Sequence, residues 1–229
     1  MDALPIREEN DHSYVSVHEG VMHACGHDAH MAMLIGAAKI LRLMQEQLHG
    51  TVLLVFQPAE EKSPVGGAKP MLEAGVFKDW KPDVIYGQHV WPLLPVGQFG
   101  IRDREMMGAS DVFKITLKGK GGHASMPHLT NDPIVTAGYV ITSLQTIVSR
   151  ALDPLHASVL TIAKVHGGSA HNIIGNTVTL EGSIRTFNPE IRKRLKRFYE
   201  ITTNVAEMYN NEVEIDYQEG YPATVNTPR

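Results

Sequence analysis

"TVTLEGSIR", Thr177 to Arg185, places Val178, Leu180 and Ile184 on one side of an extended chain and Thr179, Glu181, Ser183 and Arg185 on the other. Such alternation marks a strand with one buried face and one wet face. Working outward, "VFKITL" (112–117) repeats it with Phe113, Ile115 and Leu117 aligned, and "ASVLTIAKV" (157–165) and "EVEIDY" (212–217) supply two further strands. Between these runs, Asp132-Pro133 and Asn188-Pro189-Glu190 each join a capping side chain to a proline at the first helical position. Helices are therefore predicted through Leu152 and through Met208. The order is β-α-β-β-α-β, the ferredoxin-like arrangement.

Upstream of Asp111 the pattern changes. "TVLLVF" (51–56) and "DVIYG" (83–87) are continuous apolar runs of the kind found in strands covered on both faces. A helix after Asp28, its expected N-cap, would align Met31, Leu34, Ile35, Ala38, Leu41 and Met44, and a short helix should end near Gly75. Strands alternating with helices predict an α/β layer on a parallel sheet. The expected organisation is an α/β domain over 1–110, rejoined by 220–229, with an α+β domain over 111–219 inserted into it. No strand precedes "MDALPI" and no closing element follows "GYPATVNTPR", so the α/β domain is expected to be incomplete.

The 229 residues are 43% hydrophobic and 20% charged with a net charge of −4, a balance that favours neither disorder nor binding to nucleic acid. No apolar run reaches the roughly 18 to 20 residues of a membrane span, and no basic-then-apolar leader opens the chain. A soluble, cytoplasmic protein with no membrane partner is expected. The single cysteine cannot form an internal disulfide and has no resolving partner, which argues against a thiol redox protein.

That cysteine stands in "MHACGHDAHMAM" (22–33), among three histidines and an aspartate. Cys25 and His27 are two residues apart, so in a loop both side chains share one side and can reach one ion. Thiolate and imidazole suit zinc or another borderline transition metal, not calcium or magnesium. An isolated Cys-x-His is more simply a small buried hydrophobe at a helix start, but other donors converge. Glu60 and Glu61 of "QPAEE" follow the first apolar run and His89 of "GQHVWP" follows the second, at strand ends where α/β sheets bind ligands. Adjacent carboxylates point different ways, so one can bind metal while the other handles a proton; alternatively they are a solvated acidic pair. Further on, His123 lies in the glycine-rich "GKGGHASMPH", while Asn172 of "HNIIGN" and Arg185 could hold a substrate carboxylate, the alternative for Arg185 being a surface ion pair.

In this order, "MDALPI", "HACGHDAHMA", "QPAEE", "GQHVWP", "GKGGHASMPH" and "HNIIGNTVTLEGSIRTF" resemble the metal-dependent amidohydrolases of the aminoacylase and carboxypeptidase superfamily, the hippurate hydrolase, N-acyl-L-amino acid amidohydrolase and auxin-conjugate hydrolase group. The resemblance implies a metallopeptidase-like catalytic domain with an inserted lid and dimerisation domain. It implies two divalent transition ions (zinc, manganese or cobalt) held by Cys25, His27, Glu61 and His89, with Asp2 orienting a ligand and Glu60 as general base. His123 would reach a partner subunit's site to polarise the scissile carbonyl, and Asn172 and Arg185 would bind the substrate's carboxylate end.

The resemblance also implies a segment before the first motif and a further histidine ligand after the last, neither of which these motifs include, so the second ion is expected to bind weakly. The function expected is hydrolysis of the amide bond of N-acyl amino acids by a homodimer. The alternatives are a non-catalytic fragment or binding module and, within the same chemistry, a dipeptidase or carboxypeptidase.

Overall fold

The computed structural model describes residues 2–228, and the chain divides into two units between Gly100 and Ile101. In the first unit, α1 (His27–Leu43) follows Gly26, whose φ of 73° lies in the left-handed region. Gly26, not Asp28, is thus the N-cap, and Asp28 sits in the first turn, where its charge complements the helix dipole. Met31, Leu34, Ala38 and Leu41 are partly covered as the helical period requires, whereas Ile35 and Met44 are exposed. The short α2 (Ala68–Glu73) ends ahead of Gly75, φ 86°, with the Val76 N–H returning to the Met71 carbonyl at 3.1 Å.

The two apolar runs expected to be buried strands depart from that reading. Among the described residues, neither 51–56 nor 83–87 forms a ladder, and Val52, Leu54, Phe56, Val84, Ile85 and Tyr86 are exposed. A strand covered on both faces exists only where neighbouring strands flank it, and among the described residues no strand pairs with these segments. The expected parallel sheet is therefore absent among the described residues of this unit, whose bridge between Leu4 and Met22 is antiparallel.

The second unit follows the periodicity closely. Its elements are β1 (Glu105–Met107), β2 (Ala109–Lys118), β3 (Gly122–His123), α3 (Pro133–Thr146), β4 (Ser158–Gly167), β5 (Ile173–Ile174), β6 (Thr177–Thr186), α4 (Pro189–Leu195), α5 (Phe198–Met208), β7 (Glu212–Glu219) and β8 (Thr224–Val225). Strands β4-β6-β2-β7 form one antiparallel sheet in that order, the ferredoxin-like topology. Phe113, Ile115 and Leu117 from β2 and Val178, Leu180 and Ile184 from β6 are buried in one core with Val140, Leu144, Leu195 and Phe198 of the helices. Burying one such aliphatic or aromatic side chain contributes about 1.5–3 kcal/mol, so this face dominates the unit's stability.

Both helix starts are capped as the sequence predicts. Asp132 Oδ1 accepts the Ile134 N–H at 2.8 Å, and Asn188 Oδ1 accepts the Glu190 N–H at 2.8 Å. The helix expected through Leu152 continues beyond α3 as a π-type turn over Ile147–Ala151. The one expected through Met208 is broken between α4 and α5 by a tighter turn, in which the Lys196 and Tyr199 N–H groups bond carbonyls three residues back.

Asp111, 1% exposed, anchors the far end of β2. It accepts from Arg192 Nε at 2.8 Å, from Arg192 Nη2, from the Tyr217 hydroxyl and from the Gly220 N–H at 3.0 Å. Burial alone would raise the Asp111 pKa, but the Arg192, Tyr217 and Gly220 donors outweigh it and the carboxyl is held below its ordinary value.

β1 pairs with β8, the Asn226 N–H bonds the Arg104 carbonyl at 2.7 Å, and the Ser110 N–H bonds the Tyr221 carbonyl at 3.1 Å. These bonds join 104–110 to 221–226 within the second unit.

Candidate metal centre

Two hydrogen bonds between Leu4 and Met22, 2.9 and 3.1 Å, hold the segment that carries Asp2 alongside the one leading to Cys25. The chain then turns sharply at Gly26 into α1. A Cβ on Gly26 would lie 2.4 Å from Val90 Cγ2, so the missing side chain lets the residue after His89 seat directly on the Cys25–His27 turn. On the other side, Ala59 (φ 53°) turns the backbone ahead of Glu60 and Glu61. A Cβ on Gly67 would be 1.7 Å from the Pro58 carbonyl oxygen, which closes this loop on itself.

The result is convergence of donors from three segments. Ligand atoms of Cys25, His27 and His89 all lie within 4.8 Å of one another, as do those of His27, Glu60 and Glu61. Cys25 Sγ is 3.4 Å from His89 Nε2. A tetrahedral ion with metal–sulfur and metal–nitrogen bonds of about 2.3 and 2.1 Å would separate those two atoms by about 3.6 Å. His27 Nε2 stands 3.8 Å from Glu60 Oε2.

The hydrogen bonds behind these donors decide which ring nitrogens face inward. His27 Nδ1 lies 3.1 Å from Asp2 Oδ1, and its proton goes to that carboxylate, leaving the Nε2 lone pair on the cluster side. Asp2 Oδ2 also accepts the Glu61 N–H at 2.8 Å, so one carboxylate ties together two candidate ligands. His89 Nδ1 lies 2.7 Å from the Val90 carbonyl oxygen and donates to it, again freeing Nε2. Outer partners of this kind are what orient metal-binding imidazoles.

Charge agrees with the geometry. Burial raises the Asp2 pKa, but the Glu61 N–H and His27 outweigh it and hold the carboxyl below its ordinary value. The Cys25 thiol is pushed up, first by burial and then by the charges of Glu61, Glu60 and Asp2. A cation among these groups would reverse that balance. A thiolate, two imidazoles and a carboxylate are the donor set of borderline transition ions, so Cys25, His27, Glu61 and His89 could hold one or two of them.

All 229 residues match the family model described as peptidase family M20/M25/M40. The chain belongs to this family. It is 45% identical over 218 residues to an N-acetyldiaminopimelate deacetylase of Priestia megaterium, covering 95% of this chain and 57% of the relative. It is also 42% identical over 227 residues to an N-acetyl-L-cysteine deacetylase of Bacillus subtilis, covering 99% and 54%.

Among solved structures, a protein of methicillin resistant Staphylococcus aureus assigned as an aminohydrolase superposes with a TM-score of 0.91 at 38% identity, over 99% of this chain and 60% of that one. A dinuclear metal binding peptidase of the M20 family from Bacillus subtilis gives 0.78 at 35%, over 98% and 56%. This M20 chain is thus of the α/β metallopeptidase-like class, and it spans somewhat over half the length of these relatives. No helix among the described residues is long and apolar enough to cross a membrane.

The remaining candidate residues of this M20 chain lie in the second unit. His123 and Asn172 share the short β3–β5 ribbon, where the Ala124 N–H bonds the Asn172 carbonyl at 3.0 Å. His123 Nδ1 accepts the Ser125 N–H at 3.1 Å and lies 2.7 Å from Ser125 Oγ, so its proton sits on Nε2. Arg185 is exposed near the other end of β6. Eight residues of strand separate Thr177 from Arg185, about 26 Å at the strand rise. Thr177 and Arg185 thus stand toward opposite ends of β6.

Three contributors to the centre were not anticipated: Gly26, Val90 and His30. His30 Nε2 accepts the Val90 N–H at 2.9 Å. Burial lowers the His30 pKa, and the neighbouring His89 and His27 lower it further. The only signal in the sequence was its position three residues after His27, one turn along the same helix face.

Proposed function

We propose that this M20 chain is the metal-binding and lid-bearing part of an amidohydrolase that cleaves the amide bond of N-acyl amino acids. The observation that carries the reading is the pair of imidazoles, His27 and His89, each with Nδ1 committed to an oxygen and Nε2 turned toward Cys25 and the acidic pair. Divalent ions held by Cys25, His27, Glu61 and His89 would acidify the attacking water and stabilise negative charge on the substrate carbonyl.

Glu60 lies beside the cluster but is the more exposed of the two glutamates. In this reading it takes the proton of the attacking water and returns it to the leaving amine nitrogen. His123, fixed as an Nε2–H donor by Ser125, would donate to the carbonyl oxygen in a partner subunit's site, a role whose loss costs about 2.7–4 kcal/mol in other enzymes. Asn172 and Arg185 would bind the substrate's carboxylate end, Arg185 with two parallel hydrogen bonds. The relatives named as deacetylases favour a simple acyl group over a dipeptide. The reading includes a homodimer formed through the second unit and a cytoplasmic setting.

In the intact protein supplied with manganese, cobalt or zinc, Glu60→Gln should abolish cleavage of N-acetyl amino acids while metal content stays unchanged. Loss of metal together with activity would show that the two glutamates have the opposite roles.

A further inference from the structure

We infer that His30 is a positioning residue that aims His89 at the metal centre through the Val90 backbone, an inference resting on the metal-site reading above. Two hydrogen bonds hold the Val90 backbone, one on each side of its Cα, since the N–H belongs to the His89–Val90 peptide and the carbonyl to the Val90–Trp91 peptide. The Val90 N–H donates to His30 Nε2 at 2.9 Å, and the Val90 carbonyl accepts the His89 Nδ1–H at 2.7 Å. The His30 ring meets the His89 ring edge-on, centroids 4.5 Å apart, and lies 5.5 Å from the His27 ring. It therefore stands among the candidate ligands without being one: its Nε2 lone pair is already engaged by the backbone, and it belongs to neither group of converging ligand atoms.

The consequence is directional. With its N–H released from His30, Val90 can change its φ and ψ, and its carbonyl is no longer offered to His89 Nδ1 at a fixed place. The ring can then carry its proton on Nε2, facing Cys25 Sγ with a donor where a lone pair is needed. His30 sits on α1, three residues after His27. The helix that carries one imidazole to the centre thus also sets the direction of the other.

The bond can be read directly in the metal-free chain. An N–H···N hydrogen bond transmits a scalar coupling between its nitrogens, so a cross-peak linking the Val90 amide to His30 Nε2 is expected, and its absence overturns the inference. In the same state His89 should show a protonated Nδ1 and a bare Nε2 in long-range proton–nitrogen spectra. His30→Ala should convert it to a tautomer mixture, whereas His30→Gln, which restores an acceptor, should keep the original tautomer.

Cobalt(II) alone, titrated against a chelator, should bind about 10- to 100-fold more weakly to His30→Ala than to the unaltered chain, with most of the affinity regained in His30→Gln. Equal affinity in all three refutes the positioning role. An unaltered chain that takes up no cobalt refutes the metal-site reading instead. The coupling and tautomer measurements need no metal and distinguish the two failures.

Discussion

Gly26→Ala probes the seam on which the metal centre closes. Two separable penalties follow from its surroundings. The first is conformational: alanine at φ 73° lies in the left-handed region, which costs roughly 1–2 kcal/mol for a residue bearing a Cβ. The second is steric. The new Cβ would sit 2.4 Å from Val90 Cγ2, whereas carbon atoms settle at about 3.5–4.0 Å, so Val90 must retreat by about 1 Å.

Val90 cannot retreat alone, because its N–H is bound to His30 and its carbonyl to His89. The displacement passes to His89 and opens the 3.4 Å approach to Cys25. Metal sites tolerate about 0.2 Å in ligand distance. Without metal the loop can relax and shed most of the clash, but binding forces it back. Overpacking of this kind costs about 1–3 kcal/mol, and at about 1.4 kcal/mol per factor of ten the metal Kd should rise roughly 5- to 150-fold.

The conformational term acts with or without metal and should lower unfolding stability by its own 1–2 kcal/mol or so. Chelator-competition titration with cobalt and chemical denaturation of the metal-free chain measure the two terms separately. Adding Val90→Ala removes the clashing methyl: the double variant should bind cobalt within about threefold of Val90→Ala alone while keeping the stability loss. A Gly26→Ala chain with unaltered metal affinity, or one that Val90→Ala does not rescue, would refute the argument that this glycine sets the distance between the two segments.

Asp111→Asn should destabilise the second unit by about 3 kcal/mol, because it removes the charge paired with Arg192 in a buried network. Since folding lowers the Asp111 pKa below its ordinary 3.8, the wild-type advantage should be complete above that value and vanish as pH falls through the folded one; denaturation of both chains from pH 7 to 2 checks this, and a constant difference would count against it. If His123 serves a partner's site, mixing inactive Glu60→Gln and His123→Ala dimers and allowing exchange should restore about a quarter of wild-type hydrolysis, since half the dimers then hold one complete site of two. Absence of any recovery once exchange is verified would place His123 outside the reaction.

The second unit was legible residue by residue. Leu180 and Ile184 are buried because β6 alternates, and α3 and α4 begin where Asp132 and Asn188 can cap them. These are local rules, enforced by pleat and by the unsatisfied N–H groups of a helix's first turn, so a short window of residues contains them. "TVLLVF" lacked that protection. Its apolar run predicted a strand, but a strand exists only with partners beside it, and Val52 and Phe56 stay exposed where none flanks them. The break between α4 and α5 likewise left no trace in periodicity, because Leu195 and Phe198 keep helical spacing across it.

At the metal centre, residue chemistry alone pointed to Cys25, His27, Glu61 and His89, since thiol, imidazole and carboxylate at loop positions are few enough to notice. Their aim could not be read there. The bonds that orient them run from Asp2 to Glu61, from Asp2 to His27 and from His30 to Val90, with sequence separations of 59, 25 and 60. Pattern along a chain encodes which face of an element is apolar, because that depends on near neighbours; which nitrogen of an imidazole carries the proton depends on atoms that folding brings in from remote segments, and packing alone delivers them.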